Sequence, residues 1–516
     1  MTAGLFKMEA LNRIQEEKKR NLKMGGVDAV ARQKAHGKLN VRERIDLLAD
    51  PASFLEFGLL ADHASSNLEL SGKLAPADGV ITGTCLVEGR PVAVAAYDFT
   101  VLAGSMGEVG ERKVERIRRL ALESRIPMVW LLDSAGARIQ EIAGARFAET
   151  GGLFYEQVEL SGVVPQVAAV MGPTAAGTSY IAALADYTPM VKGAGSMALA
   201  GPPLVKAAIG EDVTTEDLGG SKIHCQISGC ADGEFQSDGD CIAAVRKYLG
   251  FFPSHCKDKP PVRRDVRGLK LPIADDILAV LPEEPRKAYD MKKIVGLISD
   301  HGDFFEIKPD FAKNIITGFA RIMGHPIGVL ANQPSQMGGA IDVDASDKAT
   351  RFLLTCDAFR IPVLFLHDCP GFLVGSRAEK MGIIRHGAKF LHVVASLTVP
   401  KLSVVVRKSY GAGYYVMCGK GLKPDLIVGW PSAEISLMGA EGAVNIVMKN
   451  KNDADAKAAK VAEYKANIGG LLSARQAHID DLIDPRETRQ VLFRALTYTL
   501  NKRQPRSWRK HGVMPV

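Results

Sequence analysis

The sequence contains two segments that match each other at a constant separation along the chain. Residues 125–136 read RIPMVWLLDSAG, and residues 360–371 read RIPVLFLHDCPG. Further along, residues 164–170 (VPQVAAV) match residues 399–405 (VPKLSVV) at the same separation. We call this separation, from Arg125 to Arg360, the repeat offset. Two matches in one register indicate that a whole unit was duplicated, and a period this long is typical of two domains rather than of a solenoid.

Each copy shows the same order of predicted elements. In the first copy, apolar runs at 127–132 and 164–171 predict two buried strands, and a helix over 180–187 follows a Gly/Ala-rich turn. The second copy has its predicted strands at 362–366 and 401–406 and its helix from Tyr414. Strands that alternate with helices predict βαβ units with parallel pairing, and therefore an α/β fold. Ligands of such folds gather at the carboxyl ends of the strands.

The boundary between the copies is predicted in residues 252–271, where Pro253, Pro260 and Pro261 lie among mixed charges typical of a linker. We therefore expect one domain over residues 1–255 and a second over 256–516. Another charged stretch, residues 449–465, predicts an exposed helix or arm in the second domain.

The composition excludes several classes of function. The net charge of +7 is spread over interleaved basic and acidic residues, which does not favour nucleic acid. No run of about 18 apolar residues predicts a membrane span. The eight cysteines form no CxxC pair, so we expect reduced thiols and no bound metal. The N-terminus lacks a signal-peptide core, which predicts a cytoplasmic protein, or a matrix protein if the chain is eukaryotic and processed.

The chemistry predicted from the residues is that of the main chain. The sequence has no G-x-S-x-G elbow, no HExxH and no phosphate loop. Residues 173–178 (PTAAGT) and 410–414 (YGAGY) each follow a predicted strand and open a helix. Unpaired N–H groups at a helix N-terminus favour negative charge, so each turn could hold an oxyanion. Alternatively, these small residues only allow close packing of helix against strand.

Motifs along almost the whole chain resemble the carboxyltransferase (β) subunits of biotin-dependent acyl-CoA carboxylases, in the propionyl-CoA and methylcrotonoyl-CoA carboxylase group. In chain order these motifs include GKLNVRERI at 37–45, DFTVLAGSMGE at 98–108, SAGARIQE at 134–141, ANQP at 331–334, WPSAEI at 430–435 and IDDLIDP at 479–485. No single motif is decisive, but together and in this order they are specific.

The resemblance implies two tandem crotonase-like (ClpP/crotonase) ββα-superhelix domains, the first for acyl-CoA and the second for biotin. It implies an active site between domains of different subunits, usually in a homohexamer. The implied reaction transfers CO2 from carboxybiotin to the α-carbon of a short acyl-CoA, and the biotin enolate left by CO2 loss removes the α-proton. The alternative is a biotin-dependent decarboxylase or transcarboxylase subunit of the same fold.

The resemblance also assigns site residues. Ala176 and Gly177 are expected to bind the thioester oxygen, and Ala412 and Gly413 the ureido oxygen of biotin. The family often has Gly-Gly at the first pair, so Ala176 departs from its pattern. The expected substrate contacts are Gly136, Ala137, Gly371, Phe372 and Tyr415.

Biotin is expected on a separate subunit. The chain lacks the Gly-rich ATP-binding loop of a biotin carboxylase, and Lys449 follows Val-Met but precedes Asn450 instead of an apolar residue. The expected partner is therefore a subunit with biotin carboxylase and biotin carrier functions.

The acyl group stays open. The Asn332–Gln333–Pro334 motif favours a propionyl type, whereas Tyr415, where propionyl-selective members often have Asp, is more similar to the methylcrotonoyl type or is a packing residue. Two rival functions fit less well. A hydratase or isomerase needs acid–base carboxylates, which residues 173–179 do not supply, and an acyl-CoA-binding regulatory module leaves the second turn without a ligand.

Overall fold

The chain folds into two compact units, Met1–Asp258 and Lys259–Val516, in a computed structural model. The structure describes residues 2–63, 69–263, 275–284, 287–449 and 454–502, with residues 504, 508 and 511–515. Positions 264–271 of the predicted linker and 450–453 of the predicted arm lie outside the described residues. In the described part of the chain, no helix has the length and apolar character needed to cross a membrane.

The first unit contains one sheet with helices around it. Its strands are β1 Leu55–Phe57, β2 Val80–Val87, β3 Arg90–Tyr97, β4 Met128–Ser134, β5 Gln166–Ala175, β6 Pro189–Val191, β7 Ser196–Ala198 and β8 Gly233–Phe235. Its α-helices are α1 Thr2–Asn21, α2 Val27–Ala35, α3 Val41–Leu48, α4 Glu108–Ser124, α5 Ile139–Ile142, α6 Gly152–Leu160, α7 Gly177–Leu184, α8 Pro202–Ile209, α9 Thr215–Gly219 and α10 Asp238–Leu249. Short 3₁₀ turns cover Pro76–Gly79, Leu102–Gly104 and Gly144–Glu149, and a π-helical turn covers Ile223–Ile227.

The second unit repeats this plan. Its strands are β9 Phe304–Ile307, β10 Ile315–Ile322, β11 His325–Asn332, β12 Val363–Cys369, β13 Lys401–Tyr410, β14 Leu426–Gly429, β15 Glu434–Ser436 and β16 Asp481–Leu482. Its α-helices are α11 Asp275–Val280, α12 Met291–Ile298, α13 Val343–Ala358, α14 Ser376–Lys380, α15 Ile383–Ser396, α16 Gly411–Val416, α17 Ala440–Val447, α18 Ala454–Ile468, α19 Gly470–Arg475 and α20 Thr488–Thr499. Short 3₁₀ turns cover Asp300–Gly302, Met337–Gly339, Lys420–Leu422 and Pro485–Glu487.

The two sheets have the same topology. In the first, the order is β1-β2-β3-β4-β5-β6-β8, and β7 pairs with the carboxyl end of β5. In the second, it is β9-β10-β11-β12-β13-β14-β16, and β15 pairs with β13. The first three strands of each sheet are antiparallel, and pairing from the third strand onward is parallel. The internal duplication inferred from the sequence is therefore visible in the strand order.

The hairpin between the second and third strands of each sheet shows how closely the copies agree. Its two turn residues are Glu88 and Gly89 in the first unit and Met323 and Gly324 in the second. All four have positive φ, of 50° and 74° and of 50° and 81°. A two-residue turn with both φ values positive matches the twist of the flanking strands, which explains the glycine at its second position.

The predicted central strands are confirmed, and β4 and β12 are buried along their whole length. The predicted second strands were too short, since β5 runs on to Ala175 and β13 to Tyr410. Their helices accordingly begin at Gly177 and Gly411, earlier than Tyr180 and Tyr414. The extra length arises because β7 and β15 pair with these ends, and strands of three residues leave little signal in a sequence.

A lysine occupies the same position in both units, half-buried in the first and fully buried in the second. In the first unit, Lys113 Nζ donates to the carbonyl oxygens of Ala77 and Val80, at 2.7 Å and 2.6 Å. Burial lowers the pKa of Lys113 to about 8 and that of Lys348, its counterpart at the repeat offset, to about 7. The carbonyl oxygens that accept from Lys348 belong to Lys308, Phe311, Ala312 and Ile315. Each lysine therefore binds main-chain carbonyl oxygens that lie at, or just before, the start of the second strand of its sheet.

We expect Lys348→Met to lower the free energy of unfolding by roughly 2–4 kcal/mol, because it leaves buried carbonyl oxygens without a donor. Urea titration of the full chain, followed by tryptophan fluorescence and circular dichroism, measures the change. Lys380→Met, at an exposed position on α14, is the control. Equal transition midpoints for the two variants would show that the buried contacts of Lys348 contribute nothing.

Candidate active site

The connection from β5 to α7 is a strained turn that the neighbouring strand holds in place. Ala176 has φ 52° and ψ −116°, a backbone conformation that L-residues rarely adopt. Its N–H donates to the carbonyl oxygen of Ala198 in β7 at 3.1 Å. The Ser179 hydroxyl lies 2.9 Å from the same oxygen. The Ala176 N–H is thus already engaged by β7, so the main-chain pairing does not favour its predicted role as an oxyanion donor.

The next residue, Gly177, has the property expected of an oxyanion donor. It is the first residue of α7, where an N–H has no partner within the helix. The Thr178 hydroxyl accepts from the Ala175 N–H at 3.0 Å and donates to the Ala175 carbonyl at 2.9 Å, which fixes the turn on both sides. Among the described residues, the Gly177 N–H makes no hydrogen bond.

A second unengaged N–H comes from the loop after β4. Met106 donates to the Gly136 carbonyl at 2.8 Å, and Arg138 donates to the Met106 carbonyl at 3.0 Å. This pairing leaves the intervening Ala137 N–H without an acceptor in the described part of the chain. A Cβ at Gly136, whose φ is 88°, would lie 2.7 Å from the Ala175 carbonyl oxygen, so only glycine allows this approach.

Ala137 and Gly177 both line a cavity of about 580 Å³ in the first unit. Apolar side chains form part of its wall, among them Leu153 and Phe154 of α6. Glu111, Arg118 and Glu156 also line it, although sequence reasoning proposed no carboxylates at this site. Glu111 and Arg118 lie on the amphipathic helix α4, so the helical periodicity of residues 108–124 is the sequence signal that could have indicated them.

The second unit repeats the arrangement at the repeat offset. Ile341 donates to the Gly371 carbonyl at 3.1 Å, and Leu373 donates to the Ile341 carbonyl at 2.8 Å. The N–H of Phe372 between them, and that of Ala412 in the first turn of α16, have no acceptor among the residues described. Phe372 and Ala412 therefore correspond to Ala137 and Gly177.

The predicted pairs were out of register with each other by one residue. At the repeat offset, Ala176 corresponds to Gly411, which has φ 55°, and Gly177 corresponds to Ala412. Gly413 corresponds instead to Thr178 and is buried, and a Cβ there would lie 2.7 Å from Cys369 Sγ. Applying the repeat to the turn itself would have revealed this register.

Tyr415 lies in the same helix as Ala412, and 51% of its surface is exposed. Its ring centroid is 6.0 Å from that of Tyr414. The side chain is thus accessible from outside the second unit rather than part of its core.

A buried carboxylate ends the central strand of each sheet beneath these turns. Asp133 is fully buried and accepts from Lys38 Nζ and from Arg44 Nη1, each at 2.8 Å. Burial alone would lower the pKa of Arg44, but Asp133 and Asp238 outweigh it and raise that pKa. The sequence motif at 37–45 is therefore a source of cations for the strand end.

In the second unit, Asp368 takes the place of Asp133 and is also fully buried. It accepts from Arg407 Nε of β13 at 2.9 Å. Each strand end thus carries a neutralised carboxylate, although the cations of the two units come from different parts of the fold.

The chain is similar in sequence to known proteins over nearly its whole length. Residues 32–514 match the carboxyl transferase domain family. Methylmalonyl-CoA decarboxylase subunit alpha of Veillonella parvula is 41% identical over 500 residues, which cover 95% of this chain and 96% of that protein. The propionyl-CoA carboxylase beta chain of Roseobacter denitrificans is 40% identical over 501 residues, which cover 95% and 96%.

Among solved structures, the chain is similar to that of transcarboxylase 12S, determined as a hexamer with methylmalonyl-coenzyme A and methylmalonic acid bound. The identity is 40%, the TM-score is 0.93, and the match covers 99% of both chains. The predicted architecture of two tandem crotonase-like domains is thereby confirmed. The chain therefore belongs to the carboxyl transferase domain family, the carboxyltransferases of biotin-dependent acyl-CoA carboxylases and decarboxylases.

Proposed function

We propose that this protein transfers a carboxyl group between carboxybiotin and the α-carbon of a short acyl-CoA of the propionyl-CoA and methylmalonyl-CoA type. One observation carries the proposal. Each unit presents two main-chain N–H groups at equivalent positions that make no hydrogen bond within the described part of the chain, Ala137 with Gly177 and Phe372 with Ala412. Two such pairs fit a reaction in which negative charge develops on two carbonyl oxygens, one on each substrate.

In the first unit, the N–H groups of Ala137 and Gly177 bind the thioester oxygen of the acyl-CoA. The cavity that both residues line provides room for the acyl group. Loss of the α-proton places negative charge on that oxygen, and the helix dipole of α7 adds to the stabilisation. Since a fixed turn supplies these donors, little reorganisation accompanies the reaction.

In the second unit, the N–H groups of Phe372 and Ala412 suit the ureido oxygen of biotin, because both are donors without an acceptor in the described residues. When bound, biotin supplies the carboxyl group and accepts the α-proton. Ala412 and Phe372 hold the ureido oxygen and stabilise the charge that it gains. Gly413 supports α16 by packing against Cys369 rather than by donating.

The acyl group is proposed from the relatives and from Tyr415. Relatives at 40–41% identity are named for propionyl-CoA and methylmalonyl-CoA, which favours a three-carbon acyl group over methylcrotonoyl. Tyr415 borders the biotin-side turn with its exposed ring. Since the family resemblance implies an active site between domains of different subunits, we propose that Tyr415 helps to shape the acyl pocket of a neighbouring subunit. A packing role for Tyr415 is the alternative.

The direction of transfer and the partner complete the proposal. Carboxylation is proposed as the forward reaction, and decarboxylation is the alternative that the methylmalonyl-CoA decarboxylase relative favours. Biotin is proposed to reside on a separate subunit with biotin carboxylase and carrier functions. A homohexamer is proposed by similarity to transcarboxylase 12S, which was determined as a hexamer.

The decisive experiment is carboxylation of an acyl-CoA panel with labelled bicarbonate, ATP and a reconstituted biotin-bearing partner. We expect label in the acyl-CoA product only when the partner is present, with propionyl-CoA the preferred acceptor. Incorporation without the partner would contradict the proposed division of labour. A parallel assay starts from methylmalonyl-CoA labelled in its carboxyl group. Release of that label as CO2, without carboxylation of any acyl-CoA in the panel, would instead assign the protein to decarboxylation.

We expect Ala412→Pro to reduce carboxyl transfer by about 10²–10³-fold, because proline removes one donor to the ureido oxygen. Transfer from methylmalonyl-CoA to free biotin, followed as propionyl-CoA formed, measures the loss. Asp28→Pro removes the N–H at the same position of α2, an exposed helix, and serves as control. Full activity of Ala412→Pro would dismiss this turn as the biotin site.

We expect Tyr415→Asp to change the ratio of kcat/KM for propionyl-CoA over methylcrotonoyl-CoA by about tenfold, since pocket shape discriminates acyl groups by about 1–3 kcal/mol. Tyr498→Asp, at a position 84% exposed on α20, is the matched control. An unchanged ratio would assign Tyr415 to packing alone.

A further inference from the structure

A group of charged side chains forms part of the cavity wall in the first unit. Arg118 of α4 is 3% exposed, and its Nε donates to Glu156 of α6 at 2.6 Å. Its Nη2 lies 3.6 Å from Glu111. Its Nη1 is buried without a hydrogen-bond partner among the described residues. A buried guanidinium nitrogen without an acceptor is unfavourable, and it calls for a ligand or an ordered water.

Glu111 lies beside this arginine, where 26% of its side chain is exposed. The hydroxyl of Tyr97, a fully buried residue of β3, donates to Glu111 at 3.4 Å. Burial raises the pKa of Glu111 although Arg118 lowers it. The group is thus a connected network of Tyr97, Glu111, Arg118 and Glu156.

The second unit shows that the fold does not need these charges. At the repeat offset, Ser346, Leu353 and Leu391 take the places of Glu111, Arg118 and Glu156. Leu353 is fully buried, as is expected of an apolar core residue. Replacing a buried ion pair with apolar residues is often neutral or stabilising, so stability alone does not account for the charged set in the first unit.

The cavity is also larger than a propionyl group requires. Its volume of about 580 Å³ lies in the range of sites for ligands well above three carbons in size. Phe147, Leu153, Phe154 and Leu199 line it alongside the charged set. A partly apolar cavity whose wall includes an arginine with a buried, unused donor fits an acyl or pantetheine chain that carries an oxygen atom.

The charges limit what that oxygen can be. Arg118 is already paired with Glu156, and Glu111 lies on its other side. A ligand carboxylate at this place would meet two protein carboxyl groups for a single guanidinium, which is unfavourable. A carbonyl or hydroxyl oxygen accepts a hydrogen bond from Nη1 without adding a charge.

Building on the proposed function, we infer that Arg118 forms a subsite that binds a neutral acceptor oxygen of the acyl-CoA, through its Nη1. Such an oxygen has two sources, the acyl group itself or an amide of the pantetheine arm. Arg118 is then a specificity-determining residue in the first case and a general binding residue in the second. In both cases the subsite belongs to the first unit only.

Calorimetric binding to the full chain tests this inference without the partner subunit. The ligands are coenzyme A, the propionyl, butyryl and valeryl thioesters, their ω-hydroxy analogues and succinyl-CoA. For an acyl source, we expect at least one ω-hydroxyacyl-CoA to bind about tenfold more tightly than its alkyl analogue, and Arg118→Leu to abolish the difference. For a pantetheine source, Arg118→Leu weakens all ligands by the same factor of about tenfold.

Two results would overturn the inference. The first is an Arg118→Leu chain that folds and binds every ligand within about twofold of the unmodified chain. The second is tightest binding of succinyl-CoA that depends on Arg118, which would assign the subsite to an anion. Absence of acyl-CoA binding by the unmodified chain would instead refute the proposed function itself.

Two further variants serve as a substitute and as a control in this test. Arg118→Lys retains a positive charge beside Glu156 but lacks Nη1, so it should show the same loss of binding as Arg118→Leu. It replaces the leucine variant in the test if that variant does not fold. Arg119→Leu changes the neighbouring residue, whose side chain is 64% exposed, and should leave every dissociation constant unchanged. Equal effects of the Arg118 and Arg119 substitutions would reduce the effect to a change of net charge.

Discussion

A buried carboxylate at the end of each central strand is the constraint on which both turns depend. Asp133 and Asp368 are fully buried, and each is neutralised by cations within its own unit. The main-chain carbonyl oxygens of the same two aspartates lie so close to Gly104 and Gly339 that a Cβ on either glycine would overlap them. Both glycines have positive φ, so the loop after the third strand is pressed onto the strand end. This contact sets the main-chain pairing that leaves one N–H of each following loop unengaged.

The duplication separates what the fold requires from what one unit has acquired. The equivalent lysines Lys113 and Lys348, the hairpin turns and the paired N–H groups occur in both copies. The charged set around Arg118 occurs in the first copy alone, where Leu353 is its counterpart. Comparison within one chain thus serves as an internal control, since both copies solve the same packing problem in the same topology.

Much of the fold could be predicted because the repeat and the apolar runs are strong, local signals. The central strands, the duplication and the regions of both turns follow from them. Gly177 and Ala412 were expected as oxyanion donors through the family resemblance, whereas Ala137 and Phe372 were expected only as substrate contacts. Their pairing did not follow, because whether an N–H is engaged can be judged only when all neighbouring main-chain bonds are known. Ala176 illustrates this, since its amide is engaged by β7, a strand of three residues. The neutralisation of Asp133 by Arg44 likewise joins residues far apart in sequence.

The cations of the two strand ends also differ in their order along the chain. Lys38 and Arg44 precede Asp133, whereas Arg407 follows Asp368 and lies on the next strand of the sheet. A chain that emerges from the ribosome N-terminus first therefore has the counterions of Asp133 available before that strand is made. The second sheet must wait for β13 before its aspartate can enter the core as an ion. The two aspartates of one architecture thus differ in whether the nascent chain already contains their counterions when they are made.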